Sequence, residues 1–302
     1  MIALKKNFAS LESSVKNLYE MTDEDIVRMH RILLGIYDDL YAYCEKYSLK
    51  LIAGGGTALG AIRHKGFIPW DDDMDLNLFR DDYEEFIKHF ESELGAKYDL
   101  LAPGYKKGAN CFLMRVLKKD TTLLNMIDET APYPTGIYID ITPIDYAPNC
   151  KAVQWFKGHA ADILRFISYS VYWHQFKSKS LEQFMTNSEG KTYYKIRMLT
   201  GKLFGFRSSE KWFNTFDRFI RGKKSNYVTV AAGRKKYNGE MFPVTAFYPL
   251  TTTLFEGRNI YIYKDINCYL SRLYGDYMKI PKVDNRERHL CLVLDFEKSR
   301  GI

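Results

Sequence analysis

The chain has 302 residues, 46% hydrophobic and 27% charged, with a formal net charge of +7. That length and balance suit one large globular domain or two small ones, and exclude a disordered tail; with 20 Gly and 9 Pro, a collagen-like repeat is excluded as well. No apolar run reaches the roughly 18 residues that a membrane-spanning helix requires. The first residues carry basic groups with no apolar stretch behind them, so no secretory signal peptide is expected. Cys44, Cys111, Cys150, Cys268 and Cys291 are odd in number and lack zinc or disulfide-framework spacing, which predicts a reducing, cytoplasmic setting.

A first helix is predicted from Thr22, whose hydroxyl can cap it, with Asp23, Glu24 and Asp25 against its positive end. Ile26, Met29, Leu33, Ile36, Leu40 and Tyr43 follow at steps of three and four and predict one buried stripe. Residues 51–53 read as a short buried strand that runs into Gly54-Gly55-Gly56-Thr57, with a helix beginning after Thr57. Residues 73–78 and 137–142 read as strands from their period-two alternation. From residue 151 the pattern turns helical, with Phe156, Ala160, Ile163, Leu164, Ile167 and Val171 on one face. Residues 182–222 read as helix broken near Gly201 and Gly205, and 227–302 as strands and turns, including 258–263.

The expected fold is therefore mixed α/β, with a catalytic core in 1–150, a basic aromatic helical insertion in 151–225, and a C-terminal part in 226–302 that completes the catalytic domain. The insertion has fifteen Lys/Arg against five Asp/Glu, a local balance of +10. Such a block predicts either a partner carrying phosphate, such as a nucleotide, a lipid-linked phosphate or a membrane surface, or simply a solvated helical face.

Chemistry concentrates in residues 53–75, AGGGTALGAIRHKGFIPWDDDMD. Glycines let backbone amides approach a ligand, and a helix start offers unsatisfied N–H groups with partial positive charge. Thr57 can cap that helix or touch a phosphate oxygen, and Arg63, His64 and Lys65 add positive charge. Asp71, Asp72, Asp73 and Asp75 then crowd four carboxylates into five residues, which is repulsive unless water or a cation intervenes. Hard oxygen donors at this density suit Mg²⁺ or Mn²⁺. A glycine run alone reads as a tight turn, and an acidic run as a solvated loop. The alternation of Met74, Leu76 and Leu78 with the acids goes beyond both readings. It sets Asp73 and Asp75 on one side of a strand, roughly 6–7 Å apart, with Asp71 on the same face and Asp140 able to join from a neighbouring strand. That layout predicts metal-dependent phosphoryl or nucleotidyl transfer.

The stretch GGGTALGAIRHKGFIPWDDDMDL (54–76) closely resembles the signature of the LicD phosphotransferases, a nucleotidyltransferase-fold family related to the fukutin-related proteins. The resemblance extends to IDITPIDYAP (139–148), to FEG (255–257) and to YGDYMKIPKVDNRERH (274–289), departing from the family's usual wording at Pro281-Lys282. It implies a nucleotidyltransferase-like mixed sheet and transfer of a phosphorylated head group. Phosphocholine from CDP-choline, transferred to a hydroxyl of a cell-surface glycan such as a teichoic acid or its lipid-linked precursor, is the typical case. Carried over by position, Asp73 and Asp75 match the paired metal-binding acids, Asp140 the third acid, and Gly55, Gly56 and Thr57 the phosphate-gripping motif. Asp71 is a further ligand candidate, and Arg63 falls in the family's basic position, with Lys65 beside it. Within this scheme Arg63 offsets charge on the departing CMP, and Asp140 completes the metal site or accepts the acceptor's proton.

His64 and His289 are alternative bases, or ordinary surface histidines. Trp70, Tyr138 and Tyr146 are candidates to face a quaternary ammonium group, or they pack the core. Tyr274, Asp276 and Tyr277 are candidates to close the site. The basic region is a candidate to dock a lipid-linked acceptor at the inner membrane face. A true nucleotidyltransferase, placing a nucleoside monophosphate on a small molecule or protein, uses the same glycine turn and acids. A glycosyltransferase with Asp73-Met74-Asp75 as its metal motif does not need the glycine turn or Asp140. A non-catalytic glycan- or nucleic-acid-binding module does not need four clustered carboxylates, and no nucleic-acid partner is expected.

Overall fold

A computed structural model describes residues 18–185, 187–283, 286 and 290–297. Among these, eight main helices and twelve strands form the fold. The helices are α1 (Asp23–Lys46), α2 (Gly55–Arg63), α3 (Arg80–Leu94), α4 (Lys151–Gln175), α5 (Lys179–Phe184), α6 (Ser188–Leu203), α7 (Ser209–Ile220) and α8 (Ile266–Tyr274). The strands are β1 (Tyr19–Glu20), β2 (Ile52–Ala53), β3 (Asp75–Phe79), β4 (Tyr98–Leu101), β5 (Met114–Lys118), β6 (Thr122–Asn125), β7 (Tyr138–Ala147), β8 (Tyr227–Thr229), β9 (Met241–Pro243), β10 (Thr251–Phe255), β11 (Arg258–Ile262) and β12 (Leu290–Asp295). Two single-turn helices, Lys236–Gly239 and Val244–Phe247, link strands in the C-terminal part.

Helix α1 begins as its sequence requires. The Thr22 hydroxyl accepts the Asp25 N–H at 3.2 Å while the Asp25 carboxylate accepts the Thr22 N–H at 2.9 Å, a reciprocal capping box. All six residues of its predicted stripe are buried.

The main sheet runs β10-β11-β2-β3-β7-β5-β4, with β8 and β9 attached to the far end of β7. It is mixed: β11–β2 and β3–β7 are parallel and the remaining pairs antiparallel. Strand β7 is its axis, because its first half lies between β3 and β5 while Asp145–Ala147 turn to pair with β8. Alternation explains the placement: Leu76, Leu78, Ile139 and Ile141 are wholly buried, leaving Asp75 and Asp140 on the opposite side. The family expectation of a mixed sheet with flanking helices is met.

Four local expectations are corrected. Strand β3 starts at Asp75, so Asp71 and Asp73 lie on the loop before it. Helix α2 begins at Gly55 with Gly54 as its N-cap, so Thr57 sits inside its first turn and does not cap it. In α4 Ile167 and Val171 of the predicted stripe are buried, but Phe156 and Ile163 are exposed, and Gly158, Ala161, Ser168 and Tyr172 are buried besides. Gly201 does not break a helix; it lies within α6, where a Cβ would run into the carbonyl oxygen of Ser170 on α4. The break expected near Gly205 is there, between α6 and α7. The core of this helical region takes Phe213, Phe216 and Trp173 from its own helices, and Phe112, Ala231 and Tyr237 from outside them.

Candidate active site

The site is built where α2 starts beside the end of β2. Gly55 has a φ of +40°, and a Cβ there would lie 2.5 Å from Oδ2 of Asp75. A Cβ on Gly56 would lie 2.7 Å from Oδ2 of Asp71. Both carboxylates are thus packed against the first turn of the helix, where the partial positive charge favours anions. The glycines make room for them. Thr57 is buried, and its hydroxyl oxygen accepts the Asp75 N–H at 2.8 Å. The Gly55 N–H donates to the Tyr269 hydroxyl at 3.0 Å. The residues predicted to grip phosphate therefore also hold the acids in place.

Ahead of β3 the chain is folded back on itself. The Asp71 N–H donates to the Ile68 carbonyl at 2.9 Å, and the Asp71 carbonyl lies 2.6 Å from Nε2 of His30 on α1. Burial pushes the His30 pKa down, with the Asp71 carbonyl, Glu256 and Asp72 acting against it. This turn brings one carboxylate oxygen each of Asp71, Asp72 and Asp73 within 4.8 Å of one another. Asp72, which the sequence did not single out as a ligand, is part of this group. Three converging carboxylates are a hard-oxygen donor set, and they fit a divalent cation such as Mg²⁺ or Mn²⁺.

A row of charged residues continues across the sheet. Asp75 pairs in register with Asp140 on β7, and Asp140 with Arg115 on β5, so all three project to one face. Arg115 Nε donates to Oδ1 of Asp140 at 2.9 Å and its guanidinium lies 3.8 Å from the centre of the Tyr138 ring. Burial works against the charge on Arg115, but Asp140, Tyr138 and Asp128 outweigh it and keep the pKa well above its ordinary value. Sequence reasoning missed Arg115. The available signal was one basic residue alternating with the apolar Met114 and Val116.

The C-terminal part forms another wall. Arg63 donates from a terminal guanidinium nitrogen to the Tyr277 carbonyl at 2.8 Å and from Nε to His64 at 2.9 Å. Burial lowers its pKa, while Tyr274 and Asp71 oppose that shift. The Tyr274 pKa is pushed up by burial first, then by Asp75, Asp71 and Asp73, and Arg234 partly offsets this. The Arg234 guanidinium stands 5.6 Å from the Tyr274 ring centre. Arg234 is a second residue that the sequence did not single out. Its loop is firmly built: Arg165 donates to the Gly233 carbonyl at 3.0 Å, and buried Glu240 accepts the Lys235 N–H at 2.6 Å.

Other candidates separate. Lys65 is exposed and left-handed (φ 62°), and its carbonyl accepts the Glu256 N–H at 2.9 Å. The FEG segment is thus a clamp on that turn, because the Glu256 side chain also accepts the Phe67 N–H at 3.1 Å. Trp70 and Tyr138 lie near the acids, but each already carries a guanidinium, Arg286 at 4.0 Å from the Trp70 ring and Arg115 on Tyr138. Tyr146 lies six residues beyond Asp140 on β7, about 20 Å along the strand. Asp276 is exposed, and His289 falls outside the described residues.

Residues 49–162 match the family model for the LicD/FKTN/FKRP nucleotidyltransferase domain. That span runs from β2 to the middle of α4 and holds every acid of the site. Over 267 residues the chain is 28% identical to the lipopolysaccharide cholinephosphotransferase LicD of Haemophilus influenzae, covering 85% of this chain and 93% of that protein. Shorter similarity joins it to two uncharacterized proteins. One, from Rickettsia typhi, is 27% identical over 28% of this chain and 27% of its own length; the other, from Rickettsia prowazekii, is 31% identical over 24% and 31% respectively.

Proposed function

We propose that this chain, which belongs to the LicD/FKTN/FKRP nucleotidyltransferase-domain family, transfers phosphocholine from CDP-choline to a hydroxyl of a cell-surface glycan or its lipid-linked precursor. The observation that carries the reading is the packing of Asp71 and Asp75 against the glycine turn of α2, with Asp73 in the same carboxylate group. The near full-length similarity to a cholinephosphotransferase supports the choice of head group.

In the reaction the acceptor oxygen attacks the outer phosphorus, the bond from that phosphorus to the bridging oxygen breaks, and CMP leaves with the electron pair. Positioning and charge neutralisation dominate such transfers. Asp71, Asp73 and Asp75 are the residues that would hold Mg²⁺ or Mn²⁺, with Asp72 beside them. A bound cation supplies neutralisation of the diphosphate charge. Gly55, Gly56 and the start of α2 orient the phosphates through backbone dipoles. Arg63, with Arg234 across Tyr274, offsets the charge that grows on the leaving CMP, while Lys65 lies at the outer turn. Asp140, oriented by Arg115, either completes the ligand set or takes the proton released by the acceptor; only the second role shifts the pH profile of transfer in Asp140→Asn.

The nucleotidyltransferase name of the matching domain keeps a second reading in view, transfer of a nucleoside monophosphate to a small molecule or protein. A thermal-shift screen of CDP-choline, CDP-ethanolamine, CTP and ATP, with and without Mg²⁺, separates the two. A ligand at about 100 times its dissociation constant stabilises a protein by about 2.7 kcal/mol. Selective Mg²⁺-assisted stabilisation by CDP-choline is the expected result. Stabilisation by CTP or ATP alone would transfer the assignment to nucleotidylation.

A further inference from the structure

Among the described residues sixteen large hydrophobic side chains are exposed, and eight of them fall between Val153 and Phe206. They are not scattered. On α4, Val153, Phe156 and Ile163 are 49%, 71% and 60% exposed. On α6 and just beyond it, Ile196, Leu199, Leu203 and Phe206 are 49%, 69%, 69% and 79% exposed. Within each helix, Phe206 lying in the turn after α6, the spacing is that of an apolar helical stripe, steps of three, four and seven, but the stripe faces outward. The opposite sides already have partners: α4 buries Gly158, Ala161 and Ser168, and Gly201 of α6 lies against Ser170 of α4. Arg197, the neighbour of Ile196, lies 4.0 Å from the Phe166 ring, one turn beyond Ile163. Both stripes thus border the packing of α6 on α4.

We propose that this surface of α4 and α6 docks on an anionic lipid bilayer. Soluble proteins rarely leave so many large apolar side chains of neighbouring helices uncovered. Lys191, Lys195 and Lys202, all exposed, flank the α6 stripe on one side, and α6 has a single acid, Glu189. Apolar side chains inserted at the headgroup boundary, with lysines beside them, are the pattern of an interfacial helix. Basic residues near the surface add attraction to anionic headgroups, and salt screens that attraction. Charge also selects the occupant. A second copy of this chain would set one strongly basic region, +10 over 151–225, against another. An anionic membrane removes that repulsion. No acid of the candidate active site lies on these helices, so the surface is independent of the head-group assignment and is tested without it.

The test is co-sedimentation of the full chain with phosphatidylcholine vesicles, with and without about one third phosphatidylglycerol, while tryptophan fluorescence is followed. Trp155 is 61% exposed on α4 and reports insertion by a blue shift. Binding is expected only to the anionic vesicles, falling steeply with salt. Phe156→Ser with Leu203→Ser should lower the partition coefficient by about tenfold or more with an unchanged melting temperature, and Lys195→Glu with Lys202→Glu should weaken binding at low salt. Three results would overturn the proposal: no binding to anionic vesicles, binding indifferent to all four substitutions, or a concentration-dependent dimer that Phe156→Ser with Leu203→Ser dissolves.

Discussion

Asp140 and Arg115 face each other across β7 and β5, and the guanidinium reaches both carboxylate oxygens, Nε at 2.9 Å and a terminal nitrogen at 3.3 Å. Side-chain exposure is 19% for Asp140 and 23% for Arg115, so water compensates either charge only in part. Removing the cation leaves an uncompensated acid next to Asp75. Arg115→Ala should destabilise the fold by about 2–4 kcal/mol in urea unfolding and reduce transfer. Arg115→Lys keeps the charge but loses the planar fork, so stability should largely return while transfer stays impaired. Wild-type rates in the lysine variant would show that the fork plays no part in orienting Asp140.

The carboxylate group formed by Asp71, Asp72 and Asp73 is held together against its own repulsion. Asp73→Asn removes a ligand. Mg²⁺ should therefore raise the parent's melting temperature while leaving the variant's unchanged. Equal Mg²⁺ responses in both would place the cation elsewhere.

Much of this site is legible in local pattern. Leu76 and Leu78 alternate with polar neighbours, which orients Asp75, and Ile139 and Ile141 do the same for Asp140. What pattern does not reveal is set by distant contacts. The fold-back of Asp71 depends on His30, 41 residues away, so alternation extended the strand two residues too far. The face of α4 was half misread, for a different reason. Ile167 and Val171 are buried as the periodicity predicts, but earlier in the helix the buried positions are the small Gly158 and Ala161, whereas the large Phe156 and Ile163 point outward. Apolar periodicity reports size and hydropathy, and these two close-packed positions have little of either. Arg115 and Arg234 gain meaning only when strand register and loop packing set them beside the acids.

A buried ion network fastens the helical region to the sheet. Arg80 at the start of α3 binds Asp145 on β7 at 2.6 Å and Asp217 on α7 at 2.9 Å, and both carboxylates are almost fully buried. Arg80→Met strands buried Asp145, whereas Asp217 keeps Arg221 at 2.7 Å. The substitution should cost about 3–5 kcal/mol in chemical unfolding. Asp145→Asn combined with it should recover part of that loss, because the stranded charge is gone. A neutral single substitution would mean that water replaces the guanidinium.

Glu240 provides a pH signature. Burial pushes its pKa up to about 7, with the Lys235 N–H and Arg165 opposing the shift. The folded state therefore favours the protonated acid. The resulting stability is complete below the ordinary carboxylate pKa and is lost as pH rises through about 7. At about 1.4 kcal/mol per pKa unit the loss between pH 4.5 and 8 approaches roughly 3 kcal/mol. Glu240→Gln should flatten that decline, so the variant gains on the parent as pH rises; parallel profiles would refute it.

The most direct test of the central claim is product analysis with purified protein, CDP-choline and a glycan hydroxyl acceptor. Head-group transfer predicts Mg²⁺-dependent CMP release matched by phosphocholine on the acceptor, abolished in Asp75→Asn with the melting temperature retained. Pyrophosphate release from CTP or ATP, with a nucleoside monophosphate on the acceptor and no CMP from CDP-choline, would contradict it.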